Sequence, residues 1–338
     1  MSRSLDKDLI AHLKADDPGG VYKDISTILT DLPDNELLEI ELLGKSHPLE
    51  PGVNYLIDGA AVAIPKLRLA QAFFVARSIL QSYQDGSTMD RREALVATAV
   101  LLLMDPEHLT AANTRKRLLL SALETSKQDE LAWKREKQFV DSLLTSRLYR
   151  HAKSPTLWSH RRWLLQLSLV RDSFVEPQLD IKDVIMTAGI RHPRNYPAWH
   201  HARFLLDCSP RLAESIVTDV KEFCLRNHTD ISSWSFLIYA ISRIENGEYR
   251  RKICSSVLAE VLDIANSFSW TNESVWVFLR SIVATSLVND QQFESFLAIN
   301  KRLVSGTPKD SDQWRTLDNA RRWCEKYRLS TSSNMAES

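Results

Sequence analysis

Two stretches of the chain read as copies of one another: SPTLWSHRRWLLQ at residues 154–166 and NYPAWHHARFLLD at 195–207. Superposed, they align Trp158 with Trp199, His160 with His201, Arg162 with Arg203, and Leu164/Leu165 with Leu205/Leu206, 41 residues apart. Self-similarity at a period of 20 to 50 residues marks a repeat array, in which each unit buries its apolar face only against its neighbours. Weaker copies are headed by Trp234, Trp276 and Trp314, and an upstream one has Ala112 in place of Trp, followed by Arg115/Lys116. The basic pair fades toward the C-terminus, where Leu237/Ile238 and Leu317/Asp318 stand instead.

Each unit reads as a helical hairpin whose second helix starts just before the Trp. A polar residue at each start (Thr110, Ser154, Asn195, Asp230, Thr271 or Asn272, Asp310 or Ser311) can accept a bond from an orphan N–H. Pro155 fits a first helical position. The pattern predicts hairpins pairing 91–104 with 110–123, 129–151 with 155–171, 178–191 with 196–207, 210–227 with 231–245, 248–266 with 272–287 and 290–304 with 311–328. Trp158, Trp199, Trp234, Trp276 and Trp314 are then core wedges between consecutive hairpins. With Gly scarce and no Gly- or Pro-rich linker, the expectation is an all-α chain in one continuous array over residues 89–328. Before it come a lead-in, 1–88, with one long helix near 65–84, and after it a polar tail, 329–338, expected to be disordered. Residues 1–15 read as a short amphipathic helix, Asp17-Pro18-Gly19-Gly20 as a breaker, and Leu37 to Ile64 as a long loop carrying at most one strand.

Lys plus Arg and Asp plus Glu are both 43, a balance that argues against a nucleic-acid binder working by bulk phosphate attraction. Four cysteines without C-x-x-C spacing point to buried thiols in a reducing compartment. The charged N-terminus is no signal peptide, no apolar run is long enough to span a bilayer, and no Cys stands four from the end, so a cytoplasmic protein is expected. No phosphate-binding loop, nucleophile elbow or H-E-x-x-H is present, and adjacent His200 and His201 point about 100° apart on a helix, so no metal site is expected.

His160 and His201 recur two places after the Trp, where an imidazole either bonds to the next hairpin or faces a ligand. Arg161, Arg162 and Arg203 recur likewise, as an inter-repeat salt-bridging face or as forks for a partner's carboxylates. Arg194-Asn195-Tyr196 stands at a helix start, where backbone N–H groups and the dipole favour an anion, though an Asn cap would read the same.

Units of this form, with Trp, His and a basic pair at fixed offsets, resemble the protein prenyltransferase alpha-subunit repeat. Within that family the chain is most similar to the alpha subunit of the type III geranylgeranyltransferase. The resemblance implies an α-α superhelix, a right-handed solenoid wrapped round a beta subunit. It implies a non-catalytic alpha subunit, inactive alone, in a heterodimer that transfers geranylgeranyl to a protein cysteine. Zinc and geranylgeranyl diphosphate would sit in the beta subunit, of which the Rab-type one is the expected partner, and the acceptor would be a prenylated protein such as a SNARE. Arg194, Tyr196 and His201 would face the diphosphate; His160, Arg161, Arg162, Asn195 and Arg203 would meet the beta subunit. Arg194 stands where the family's farnesyltransferase has Lys, and Ala202 replaces the first Arg of the usual triplet. A tetratricopeptide-like scaffold without a transferase role is the alternative, but that repeat has a 34-residue period, against spacings of 35 to 46 here.

Overall fold

The computed structural model describes residues 17–31, 36–44, 46–47, 49–50, 52–87, 90–125, 129–170 and 177–335. Residues 1–15, read as an amphipathic helix, lie outside them. The chain divides into two compact units, Met1–Val175 and Glu176–Ser338. The all-α expectation holds, for both units are built from helical hairpins.

The first unit opens with helix α1, Pro18–Thr30. The supposed breaker starts this helix: Asp17 caps it by accepting from Gly20 N–H, and Pro18 takes the first turn, where no donor is lost. The stretch expected to be a loop carries three strands, β1 (Glu39–Leu43), β2 (Leu56–Asp58) and β3 (Ala61–Pro65), in the order β1-β3-β2. Strand β1 runs parallel to β3 with Ile40 opposite Val62, and β2 pairs antiparallel through a turn at Gly59, whose φ of 56° suits glycine. Buried Ile40, Val62 and Ile64 alternate with exposed or half-buried residues, giving the sheet one inner face.

Helices α2 (Lys66–Gln84), α3 (Arg91–Met104), α4 (Leu109–Thr125), α5 (Asp129–Thr145), α6 (Tyr149–Ala152) and α7 (Pro155–Val170) follow. The sheet is tied to α5 and the turn after it: Leu38 N–H donates to Ser142 Oγ at 3.0 Å and Arg147 N–H to the Ile40 carbonyl at 3.3 Å.

The second unit holds α8 (Pro177–Leu179), a π-helical stretch (Asp180–Met186), α9 (Thr187–Arg191), α10 (Tyr196–Cys208), α11 (Leu212–Arg226) and α12 (Ile231–Arg243). It ends with α13 (Gly247–Ser267), α14 (Glu273–Val283), α15 (Asp290–Ser305) and α16 (Asp312–Met335). The last helix runs seven residues past 328, where the polar tail was expected to begin.

Tryptophans close the hairpins in a recurring way. The indole N–H of Trp158 donates to the Ala152 carbonyl at 2.9 Å, that of Trp234 to His228 at 3.0 Å and that of Trp276 to Trp270 at 2.7 Å, each six residues back. The ring thus fills the seam while its N–H satisfies a carbonyl left over where the first helix or its loop ends. In Trp199 the Nε1 is buried with no acceptor among the described residues. In the second unit each Trp meets the aromatic of the following hairpin: Trp199 and Phe236 lie 5.2 Å apart, Trp234 and Phe278 4.7 Å, Trp276 and Phe296 5.6 Å. Trp314 departs from this pattern and is only half-buried, with Leu317, Ala320 and Cys324 supplying the core of α16.

Candidate functional site

Two positions after Ala112, Trp158, Trp199, Trp234 and Trp276 stand Thr114, His160, His201, Phe236 and Phe278, all buried, while Thr316, two after Trp314, is half-buried. Three positions after stand Arg115, Arg161, Ala202, Leu237, Leu279 and Leu317, buried as well. One helical face therefore points into the core in every unit, whether its residues are charged or apolar. His160, Arg161 and His201, read as partner- or diphosphate-facing, are inside their units.

Burying an arginine demands a partner, since an uncompensated charge in a low-dielectric core costs several kcal/mol. Both come from α5. Arg115 forks onto Glu136, with Nε and a terminal nitrogen 2.8 and 2.6 Å from its two oxygens. Arg161 Nε lies 2.7 Å from Asp141, whose other oxygen takes Lys137 Nζ at 2.7 Å. Glu136 and Asp141 thus pin α5 between α4 and α7. Burial would raise both carboxyls, but Arg115 and His160 hold Glu136 below its ordinary value, and Arg161 and Lys137 do the same for Asp141. His160 Nε2 is 3.3 Å from Glu136, yet burial pushes its pKa down to about 4, against the pull of that carboxylate, so the ring is neutral near pH 7.

The cap residues of the second helices do two jobs. Ser154 Oγ accepts from Leu157 N–H and donates to the Pro106 carbonyl of the preceding hairpin. Asp230 accepts from Ser232 N–H at 2.9 Å and, through its other oxygen, from Arg194 N–H at 3.1 Å. Asn272 makes no cap bond of its own and instead donates to His228 O at 2.8 Å. Helix α4 begins at Leu109, so His108 caps it rather than Thr110, its Nδ1 accepting from Ala111 N–H.

At α10, Asn195 is buried and caps through Ala198 N–H. Its neighbours point the other way: Arg194 and Tyr196 are exposed, and Arg194 holds the left-handed φ of 59°. The structure brings Arg194 and Tyr196 together at the open N-terminus of α10 and separates His201 from them by burial. Of the other basic residues, Arg162 is exposed, and half-buried Arg203 donates to Ser235 Oγ at 2.8 Å beside the Tyr239 ring. The Tyr239 hydroxyl and Arg243 both meet Asp207, a surface network that the sequence did not reveal because only folding brings α10 and α12 together. Among the described residues no cluster of three metal-ligating side chains occurs, and no helix is long and apolar enough to cross a membrane.

Residues 133–168, from α5 to α7, match the family model of the protein prenyltransferase alpha subunit repeat; the segment holds the Arg161–Asp141 pair and Glu136, the carboxylate partner of Arg115. Residues 157–261 match the ECM9 middle domain. Protein ECM9 of Saccharomyces cerevisiae is 31% identical over 170 residues, covering 49% of this chain and 44% of that protein. Protein prenyltransferase alpha subunit repeat-containing protein 1 of Danio rerio is 29% identical over 153 residues, 39% of this chain and 33% of its own. Geranylgeranyl transferase type-2 subunit alpha of Candida albicans is 29% identical over 153 residues, 42% of this chain and 40% of its own. The matched region spans less than half the length of each of these relatives. The resemblance read from the sequence is borne out: residues 133–168 match the protein prenyltransferase alpha subunit repeat, and the chain is similar to proteins named for that repeat.

Proposed function

We propose that this chain is the non-catalytic alpha subunit of a heterodimeric protein geranylgeranyltransferase. The beta subunit would hold zinc and the isoprenoid diphosphate, with the Rab-type one as first choice of partner and a prenylated protein such as a SNARE as acceptor. The observation that carries the reading is the split at α10. Asn195 turns inward as the cap, while Arg194 and Tyr196 turn outward at a helix N-terminus. An outward guanidinium there, with the dipole behind it, stabilises charge developing on a leaving diphosphate. The similarity to a geranylgeranyl transferase alpha subunit supports the same reading.

The beta surface would be met by exposed Arg162 and half-buried Arg203 rather than by His160, Arg161 or His201. The test is transfer of labelled geranylgeranyl by the chain reconstituted with a beta subunit. Arg194→Ala should lower turnover by about 10- to 100-fold while the complex stays intact. Unchanged turnover would remove Arg194 from the chemistry.

A further inference from the structure

The first unit contains a half-open cavity of about 570 Å³ between α1, α3, α4 and α5, distinct in its residues from the Arg194 site. That volume is in the range of small-molecule sites. Its buried wall is apolar, formed by Leu29, Leu118, Leu119 and Phe139, with the Arg115–Glu136 pair beside them. Its exposed rim is cationic: Arg91, Arg92 and Arg135 against the single rim carboxylate Asp31. Glu136 is already taken by Arg115 and His160, and Arg91 donates to Ser121 Oγ at 2.7 Å. Arg92 and Arg135 make no ion pair among the described residues.

Arg91 and Arg92 moreover occupy the first turn of α3, where the helix end is itself positive and cations are disfavoured. Glu93 and the cap Asp90 offset part of that charge, but they do not line the cavity. An apolar wall alone would accept a neutral hydrocarbon, and unpaired arginines alone would accept an inorganic anion. The two together select a molecule with both parts.

We propose that this cavity binds a single-chain amphiphile with an anionic head, its tail against Leu118, Leu119 and Phe139 and its head on Arg92 and Arg135. A carboxylate or a phosphate satisfies the same guanidinium forks.

The full chain is titrated by calorimetry with dodecanoate, dodecyl phosphate, dodecyltrimethylammonium and inorganic phosphate, all below micelle-forming concentrations. One or both dodecyl anions should bind at least about tenfold more tightly than the ammonium or phosphate alone. The stronger of the two anions identifies the head group. Arg92→Glu with Arg135→Glu, both on exposed positions, should weaken that binding by at least about tenfold. Ala122→Trp, which places an indole in the cavity, should block it. Equal binding of the cationic amphiphile, equal binding of phosphate alone, or no response to either variant would overturn the proposal.

Discussion

Asp141 carries two cations, Arg161 and Lys137, in a place where water does not reach, and that arrangement fixes what its loss would do. Asp141→Ala removes the carboxylate from beside Arg161 in the core and should cost about 3–5 kcal/mol in urea unfolding. Replacing both members, Arg161→Leu with Asp141→Leu, should recover most of that loss. The chain's own later units support this, since Leu237 and Leu279 fill the equivalent place without any charge. A double variant as unstable as the single one would show that the ion pair is needed for more than filling space. Two of the buried histidines, His151 and His160, make a second residue-scale prediction. Burial lowers His151 and His160 from 6.5 to about 4, so the unfolded chain takes up protons that the folded one refuses. Their contribution is whole above pH 6.5 and is lost as pH falls toward 4, on the order of 3 kcal/mol for each. Glu136 and Asp141 add a further loss below the ordinary carboxylate range. Unfolding free energy measured from pH 7 to 4 should fall throughout, and less steeply in His160→Phe; a flat profile to pH 5 would refute it.

Among the elements, the second helices were legible in the sequence because two local signals coincide there: a capping side chain and the Trp that follows it. Asn195 and Asp230 cap as the pattern predicts, and hairpin bounds agree within a few residues, except that the expected helix 129–151 breaks after Thr145 and the last helix runs on to Met335. The burial of His160 and Arg161 was not legible. Periodicity places a residue on a face, but which face lies against a neighbour depends on Glu136 and Asp141, about twenty residues away. The β1–β3 pairing was missed for a related reason: the two strands are parallel and separated by a long connection, so no tight turn announces it. The open N-terminus of α10 offers a separation of stability from function. Arg194 holds a left-handed conformation that costs an L-residue roughly 1 kcal/mol. Arg194→Gly should therefore leave thermal stability equal or higher, while removing the charge proposed to face the diphosphate. Asn195→Ala, by contrast, should cost about 1 kcal/mol in denaturant unfolding, by opening the cap. A marked loss of stability in Arg194→Gly would mean that its side chain serves the fold.

At the scale of the molecule, the repeat is a way of presenting a surface. Trp158, Trp234 and Trp276 lock their hairpins through the carbonyl six residues back, and in the second unit Trp199, Trp234 and Trp276 pack on the next hairpin's aromatic. Trp234→Ala removes both contacts and should cost about 3–5 kcal/mol, whereas half-buried Trp314 should cost far less. The side chains proposed to meet a partner are Arg162 in the first unit and Arg194, Tyr196 and Arg203 in the second. The central claim is that these side chains meet a second chain. It is tested most directly by co-expressing the full chain with a panel of prenyltransferase beta subunits and measuring the mass of what co-purifies. The account predicts a one-to-one complex with one of them, weakened by Arg162→Glu with Arg203→Glu; a chain that purifies alone beside every beta subunit would contradict it.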